Sequence, residues 1–216
     1  AGIVLKPTNL SYEEAASVPN GALTALTFLH KMAKIQRGQK VLINGASGSM
    51  GSAAVQIAKS FGAEVTGVCS GANVEMVKAL GADQVIDYTK EDFTQGSESY
   101  DIVFDTVGKM TFAACKRVLK PNGLYLAGAG GVPDFLQMLW TSLVGGKKLL
   151  AGMSSESKAD LTVVKELVEA GKLKAVIDRC YALEDMAEAH HYVDKGHKKG
   201  NVVITVAQDS RTARTR

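Results

Sequence analysis

Residues 40–51 read KVLINGASGSMG. Val41, Leu42 and Ile43 form an apolar run that opens into the turn Gly45-Ala46-Ser47-Gly48-Ser49-Met50-Gly51. The chain then continues with Met50, Ala54, Ile57 and Phe61 at helical spacing. A strand, a glycine-rich turn and a helix in that order make the first turn of a dinucleotide-binding βαβ unit. Glycine at position 48 lets backbone approach a pyrophosphate, where a Cβ would collide, and Gly51 lets helix and strand lie close together. The start of the helix offers unpaired N–H groups and the positive end of its dipole to the phosphates. Ala46 occupies the place of the first glycine of G-x-G-x-x-G.

Outward from this turn, β-rich runs alternate with helical patterns. The runs lie at 40–44, 64–69, 84–87, 101–105, 124–128, 148–153 and 201–206, and the helical stretches at 49–61, 73–80, 110–119, 160–170 and 183–195. Such alternation predicts an α/β fold, a Rossmann-type doubly wound parallel sheet in a three-layer αβα arrangement. Gly62, Gly81 and Gly171 each follow a helical stretch, as left-handed caps do. Pro121-Asn122-Gly123 reads as a turn into the next strand. Residues 1–39 form a lead-in, with Ser11-Tyr12-Glu13-Glu14 as a capping box and a longer helix from Asn20 to Lys34. Residues 40–206 make the nucleotide-binding domain, and 207–216 read as a disordered tail.

Composition excludes several classes of function. The 216 residues suffice for one α/β domain, with 46% hydrophobic and 22% charged residues and a net charge of +3. That charge is too small to argue for nucleic acid or an anionic membrane. The apolar stretch 132–144 is too short to span a bilayer and contains Pro133, Asp134 and Gln137. Its Phe135, Met138, Leu139 and Trp140 read as core or as a dimer contact. The three cysteines, Cys69, Cys115 and Cys180, are scattered and support neither a disulfide framework nor a zinc site, which suits a reducing, cytoplasmic setting. His190-His191 reads as part of a solvated helix, and Lys195, Lys198 and Lys199 as a solvated basic face.

The choice of dinucleotide turns on the end of the second strand. An NAD site places an acid there, about 20 residues beyond the loop, to hold the ribose 2′-OH. Here the strand ends Val68-Cys69-Ser70-Gly71, so NADP(H) is favoured, with Ser70 and Asn73 as donors to a 2′-phosphate. Glu75 leaves NAD open. The nearest cation in sequence, Lys78, is not obviously placed to help. The fourth and fifth strands end in Asp105-Thr106-Val107-Gly108 and Ala127-Gly128-Ala129-Gly130-Gly131, and these ends should flank the nicotinamide at the switch point of the sheet.

The runs VLINGASGSMGSAAVQIAKSFGAEVTGVCS (41–70), LGADQVIDY (80–88) and YDIVFDTVG (100–108) resemble the medium-chain dehydrogenase/reductase superfamily. Within it the sequence is most similar to the zinc-independent quinone oxidoreductase branch. The lead-in LKPTNLSYEEAASVPNGALTALTFL and the ending from Leu167 to Val206 fit that branch, so the likeness covers residues 4–206. It implies a parallel Rossmann sheet with a C-terminal return and NADPH as cofactor. It implies NADPH contacts at Ser47, Ser49, Met50, Ser70 and Tyr88, and a place beside the nicotinamide ribose for Val107. It further implies no zinc, a homodimer through the strand near 148–153, and a quinone or enone substrate. Family members carry an N-terminal catalytic domain that lies outside this sequence. The chain therefore reads as an NADPH-dependent oxidoreductase or the cofactor-binding half of one, with a non-catalytic NADPH-binding interaction module as the alternative. No catalytic residue is assigned.

Overall fold

A computed structural model describes residues 2–154 and 156–206. The tail expected at 207–216 lies outside the described residues. The chain opens with two short helices, α1 (Tyr12–Ser17) and α2 (Pro19–Leu26). Ser11 caps α1 in a full capping box with Glu14. A π-helical segment, Thr27–Met32, extends α2 and ends where Lys34 turns to a positive φ. α2 is buried along Gly21–Leu26 and packs on the helix of the nucleotide-binding unit, so the lead-in contributes to the main core.

The remaining elements follow in order. They are β1 (Lys40–Asn44), α3 (Ser49–Ser60), β2 (Glu64–Cys69), α4 (Val74–Ala79), β3 (Gln84–Asp87), β4 (Tyr100–Asp105), α5 (Phe112–Cys115), β5 (Leu119–Ala127), α6 (Val132–Val144), β6 (Lys148–Ala151), α7 (Lys158–Glu169), β7 (Ile177–Ala182), α8 (Met186–Asp194) and β8 (Asn201–Thr205). Strands β1–β6 form one parallel sheet in the order β3-β2-β1-β4-β5-β6, and β7 pairs with β8 in a separate parallel ribbon. The order reverses between β1 and β4, which makes their carboxyl ends the switch point.

Strand alternation builds the three layers. Val41, Ile43, Ile102 and Phe104 face one side, against α2, α3 and α7. Leu42, Val103, Tyr125 and Leu149 face the other, against Phe112 and Cys115 of α5 and Met138 of α6. Glycine ends α3 and α7 as read from the sequence, with φ of +79° at Gly62 and +69° at Gly171.

Four local readings change. The stretch 110–119 is not one helix: α5 lasts a single turn, because Leu119 already pairs with Tyr100 as the first residue of β5. The expected turn at 121–123 is a bulge inside β5, with Asn122 at φ +61° and the register shifting between Tyr100 and Ile102. Residues 132–144 fold as α6, with Pro133 in its first turn and Asp134 accepting from the Gly131 N–H at 2.8 Å. β7 has no apolar run, since it lies half exposed outside the main sheet. The expected strand near 148–153 ends at Ala151.

Candidate functional site

The glycine turn is fixed from three sides. The Gly45 and Ala46 N–H groups donate to the Val68 carbonyl at 3.1 and 2.9 Å, which ties the turn to β2. Gly45 holds φ +79°, and a Cβ on it would lie 2.4 Å from Val107 Cγ2. A Cβ on Gly51 would lie 2.0 Å from the Gly45 carbonyl oxygen, so this glycine is what brings α3 against β1. Gly48 stands at the N-cap of α3 with no side chain to cap it. The first-turn N–H groups of Ser49, Met50 and Gly51 therefore have no intrahelical acceptor and are open to an anion. From the C-terminal side, the Gly200 N–H donates to the Ser47 carbonyl at 2.8 Å, and Ser49 Oγ donates to Asn201 Oδ1 at 2.5 Å.

These elements enclose a cavity of about 930 Å3 along the carboxyl ends of the sheet. That volume lies in the range of cofactor pockets. Of the residues expected to bind cofactor, Gly45, Ser47, Gly48, Ser49, Met50, Ser70, Asn73, Tyr88 and Val107 line it together. Ala46, Gly51, Gly108, Gly128 and Ala129 do not line it. The Ala46 side chain is buried beneath the turn against Gly67. Gly51 serves packing, and Gly108 lies against Ala129, joining the loops after β4 and β5. Tyr88 is 57% exposed, so its hydroxyl is reachable. Asn73 is buried and links the turn to β2, its Nδ2 donating to Ser47 Oγ at 3.2 Å and to Ser70 Oγ at 3.1 Å, while its Oδ1 has no hydrogen-bond partner.

Behind the wall at the switch point sits Asp105, 1% exposed. Its Oδ1 accepts from Asn44 Nδ2 at 3.0 Å, from the Val107 N–H at 3.0 Å and from the Gly108 N–H at 3.2 Å. Its Oδ2 accepts from the Met110 N–H at 3.1 Å. The Tyr125 hydroxyl lies 3.1 Å from Oδ2 and 2.9 Å from the Met110 carbonyl, and its single proton serves one of them at a time. Burial beside Asp105 drives the Tyr125 phenol far above its ordinary range. A buried carboxylate with this many donors holds loop 106–110 in one shape.

Several wall residues escaped the sequence reading. Asn20, Gly21 and Thr24 reach the cavity from α2, and Lys109 from the loop after β4. His197, Lys198 and Lys199 also line it, so part of the run read as a solvated basic face belongs to the site. Asp178 positions that run by accepting from the Lys199 N–H at 3.0 Å and from the Tyr192 hydroxyl at 2.5 Å. Burial lowers the Lys198 ammonium from its ordinary pKa, against the pull of Asp178, and its Nζ donates to the Gly200 carbonyl at 2.7 Å. The signal available in sequence was Gly196 and Gly200 flanking the basic run. His190 and His191 lie exposed on α8. Among the described residues no group of three or more His, Cys, Asp or Glu could hold a metal ion, and no helix is long and apolar enough to cross a membrane.

The comparisons agree with this geometry. The family model for zinc-binding dehydrogenases matches residues 80–204. The mitochondrial NAD(P)H oxidoreductase RTN4IP1 of Mus musculus is 34% identical over 93% of this chain and 57% of its own length. The 2-methylene-furan-3-one reductase of Solanum lycopersicum is 35% identical over 94% of this chain and 49% of its own length. The quinone oxidoreductase structure from Coxiella burnetii superposes with a TM-score of 0.85 at 30% identity, covering 94% of this chain and 64% of that one. The chain thus spans between about half and three-fifths of the curated relatives named here. Sheet order, glycine turn and matched sequence together place this chain in the zinc-binding dehydrogenase family of the medium-chain dehydrogenase/reductase superfamily.

Proposed function

We propose that this chain is the cofactor-binding half of an NADPH-dependent reductase acting on a quinone, an enone or a similar activated acceptor. The observation that carries the reading is the cavity at the switch point, floored by an uncapped helix start and the glycine turn. Its residues fit a dinucleotide. The first-turn N–H groups at 49–51 face one pyrophosphate charge, and His197, Lys198 and Lys199 lie across the opening. Val107 forms part of the wall at the end of β4, and Asp105 holds that wall through three backbone N–H groups. Ser70, Asn73 and Tyr88 supply donors at the adenosine end, without an acid at the end of β2 itself. Bound there, a reduced nicotinamide supplies the hydride. NADPH oxidation against a panel of quinones and enones tests the reading, and turnover no greater than the free-cofactor background refutes catalysis by this chain.

The partner proposed at the β6 end of the sheet is a second copy. Leu136, Leu139, Trp140 and Leu143 leave an apolar face of α6 exposed there, larger than scattered surface leucines require. In the single chain α6 covers the strand edge: the Leu149 N–H donates to Thr141 Oγ1 at 3.2 Å and the Ala151 N–H lies 3.4 Å from Met138 Sδ. Strand-to-strand pairing along β6 therefore requires α6 to move aside, whereas contact through the outer face of α6 does not. The setting proposed is the reducing cytoplasm, in keeping with three unpaired cysteines.

A further inference from the structure

The charge along the cavity is divided. Lys109, His197, Lys198 and Lys199 line the part formed by the loop after β4 and the approach to β8. The part beyond β2 and β3 is lined by Ser70, Asn73, Tyr88, Glu91 and Asp92, with no lysine or arginine among its described wall residues. Behind it, Asp87 brings a carboxylate from β3 to the end of β2, where a Cβ on Gly71 would lie 2.6 Å from Oδ2. The acid missing from β2 in the sequence is thus partly replaced by one from its neighbour, since Cys69 pairs with Asp87. A hydrogen bond from the Thr89 hydroxyl holds the Asp87 carboxyl below its ordinary range, and the Thr94 hydroxyl does the same for Asp92. Burial pushes the Cys69 thiol up to about 11, so it stays neutral.

The nearby cations are committed elsewhere. The Lys90 side chain is 80% exposed, lies 3.6 Å from Asp87 and is not on the wall. Lys78 on α4 donates to Glu75 at 3.0 Å and is not on the wall either. The donors left for a 2′-phosphate are uncharged: the hydroxyls of Ser70 and Tyr88 and the amide of Asn73. Beside them lies the one buried acceptor without a partner, Asn73 Oδ1.

We infer that this wall takes the 2′-phosphate of NADPH as its monoanion, so that pH sets the choice between NADPH and NADH. The dianion meets three carboxylates and no compensating cation, and it carries no hydrogen to donate. The monoanion halves the repulsion and brings one P–OH donor to a wall rich in acceptors. NADH, with a 2′-hydroxyl, is indifferent to this titration. The inference rests on the NADPH reading above and goes beyond it by assigning the ionic form that is bound.

The test is calorimetric titration of the chain with NADPH and with NADH between about pH 5.5 and about pH 8. A phosphomonoester loses its second proton near pH 6, so the monoanion falls from about half to about 1% between pH 6 and pH 8. The expected result is a drop of at least about tenfold in the NADPH-to-NADH affinity ratio over that span, carried by NADPH alone. Glu91→Lys, which adds a cation to an exposed position on the wall, should restore NADPH binding near pH 8 by about tenfold and leave NADH unchanged. A ratio that is flat or rises with pH overturns the inference while leaving the NADPH reading intact. So does a loss of NADPH affinity at every pH in Lys90→Met, since Lys90 would then be serving as the phosphate's cation. NADH binding more tightly than NADPH throughout, or binding of neither, overturns both.

Discussion

Replacing Gly48 with alanine separates the ligand from the fold. A Cβ at position 48 would meet only the Gly45 carbonyl oxygen, at 3.5 Å, which is ordinary van der Waals contact. The residue sits at φ −78° and ψ 179°, open to any amino acid. Alanine lowers the entropy of the unfolded chain, worth about 0.4–1 kcal/mol in favour of folding. It is also a poorer N-cap than glycine, at a cost of about the same size. The two offset, so chemical denaturation should give a stability within about 0.5 kcal/mol of wild type. The ligand feels the change differently, because the new methyl group occupies the approach to the first-turn N–H groups of α3. Losing two charge-assisted hydrogen bonds at about 1.5–3 kcal/mol each weakens binding by about 3 kcal/mol or more, at least about a hundredfold in Kd. Calorimetric titration with NADPH reads the loss. Gly51→Ala is the contrasting variant: its Cβ would sit 2.0 Å from backbone oxygen, so it should lose about 3 kcal/mol of stability along with binding. A Gly48→Ala protein that folds normally and binds NADPH as well as wild type refutes the placement of the pyrophosphate at this turn.

Asp105→Ala strands the donors of Asn44, Val107, Gly108, Met110 and Tyr125, and should cost about 3 kcal/mol in urea denaturation. In the fraction that remains folded, NADPH affinity should fall more than that for 2′,5′-ADP, since the loop at 106–110 lies at the far end of the cavity from Ser70. Thiol alkylation near pH 8 should label Cys180, which is exposed, well before Cys69 and Cys115, whose burial pushes their thiols up to about 11 and about 12. Equal labelling of all three in the native protein would contradict this core. Trp140→Glu on the outer face of α6 should convert a dimer to a monomer in sedimentation equilibrium with no change in far-ultraviolet circular dichroism. A dimer that persists places the contact elsewhere.

What could be read in the sequence follows from how local each signal is. β1, β2 and β4 are central and covered on both faces, so their runs of Val, Ile and Leu announce them. The turn at 45–51 needs glycine for close approach, and that need is written in three letters. β7 was not legible because a half-exposed ribbon requires no apolar run. The helix at 132–144 was read only as an apolar stretch, its start signals at Gly131, Pro133 and Asp134 being overlooked. The wall of the site was half legible. Ser47, Ser70 and Tyr88 follow from strand ends and family likeness, and the cavity brings them together. His197–Lys199 and Asp87 could not be placed from sequence, because their positions depend on β8 crossing the glycine turn and on β3 lying beside β2. The loss is one of long-range contact: a basic run looks solvated until the fold shows what it faces.

The measurement that tests the central claim most directly is a crystal structure of this chain with NADPH. It should place the pyrophosphate on the N–H groups of residues 49–51, within reach of the turn Gly45–Gly51, and the nicotinamide beside Val107. NADPH bound away from that turn, or a cavity left without the dinucleotide at saturating concentration, would contradict the account.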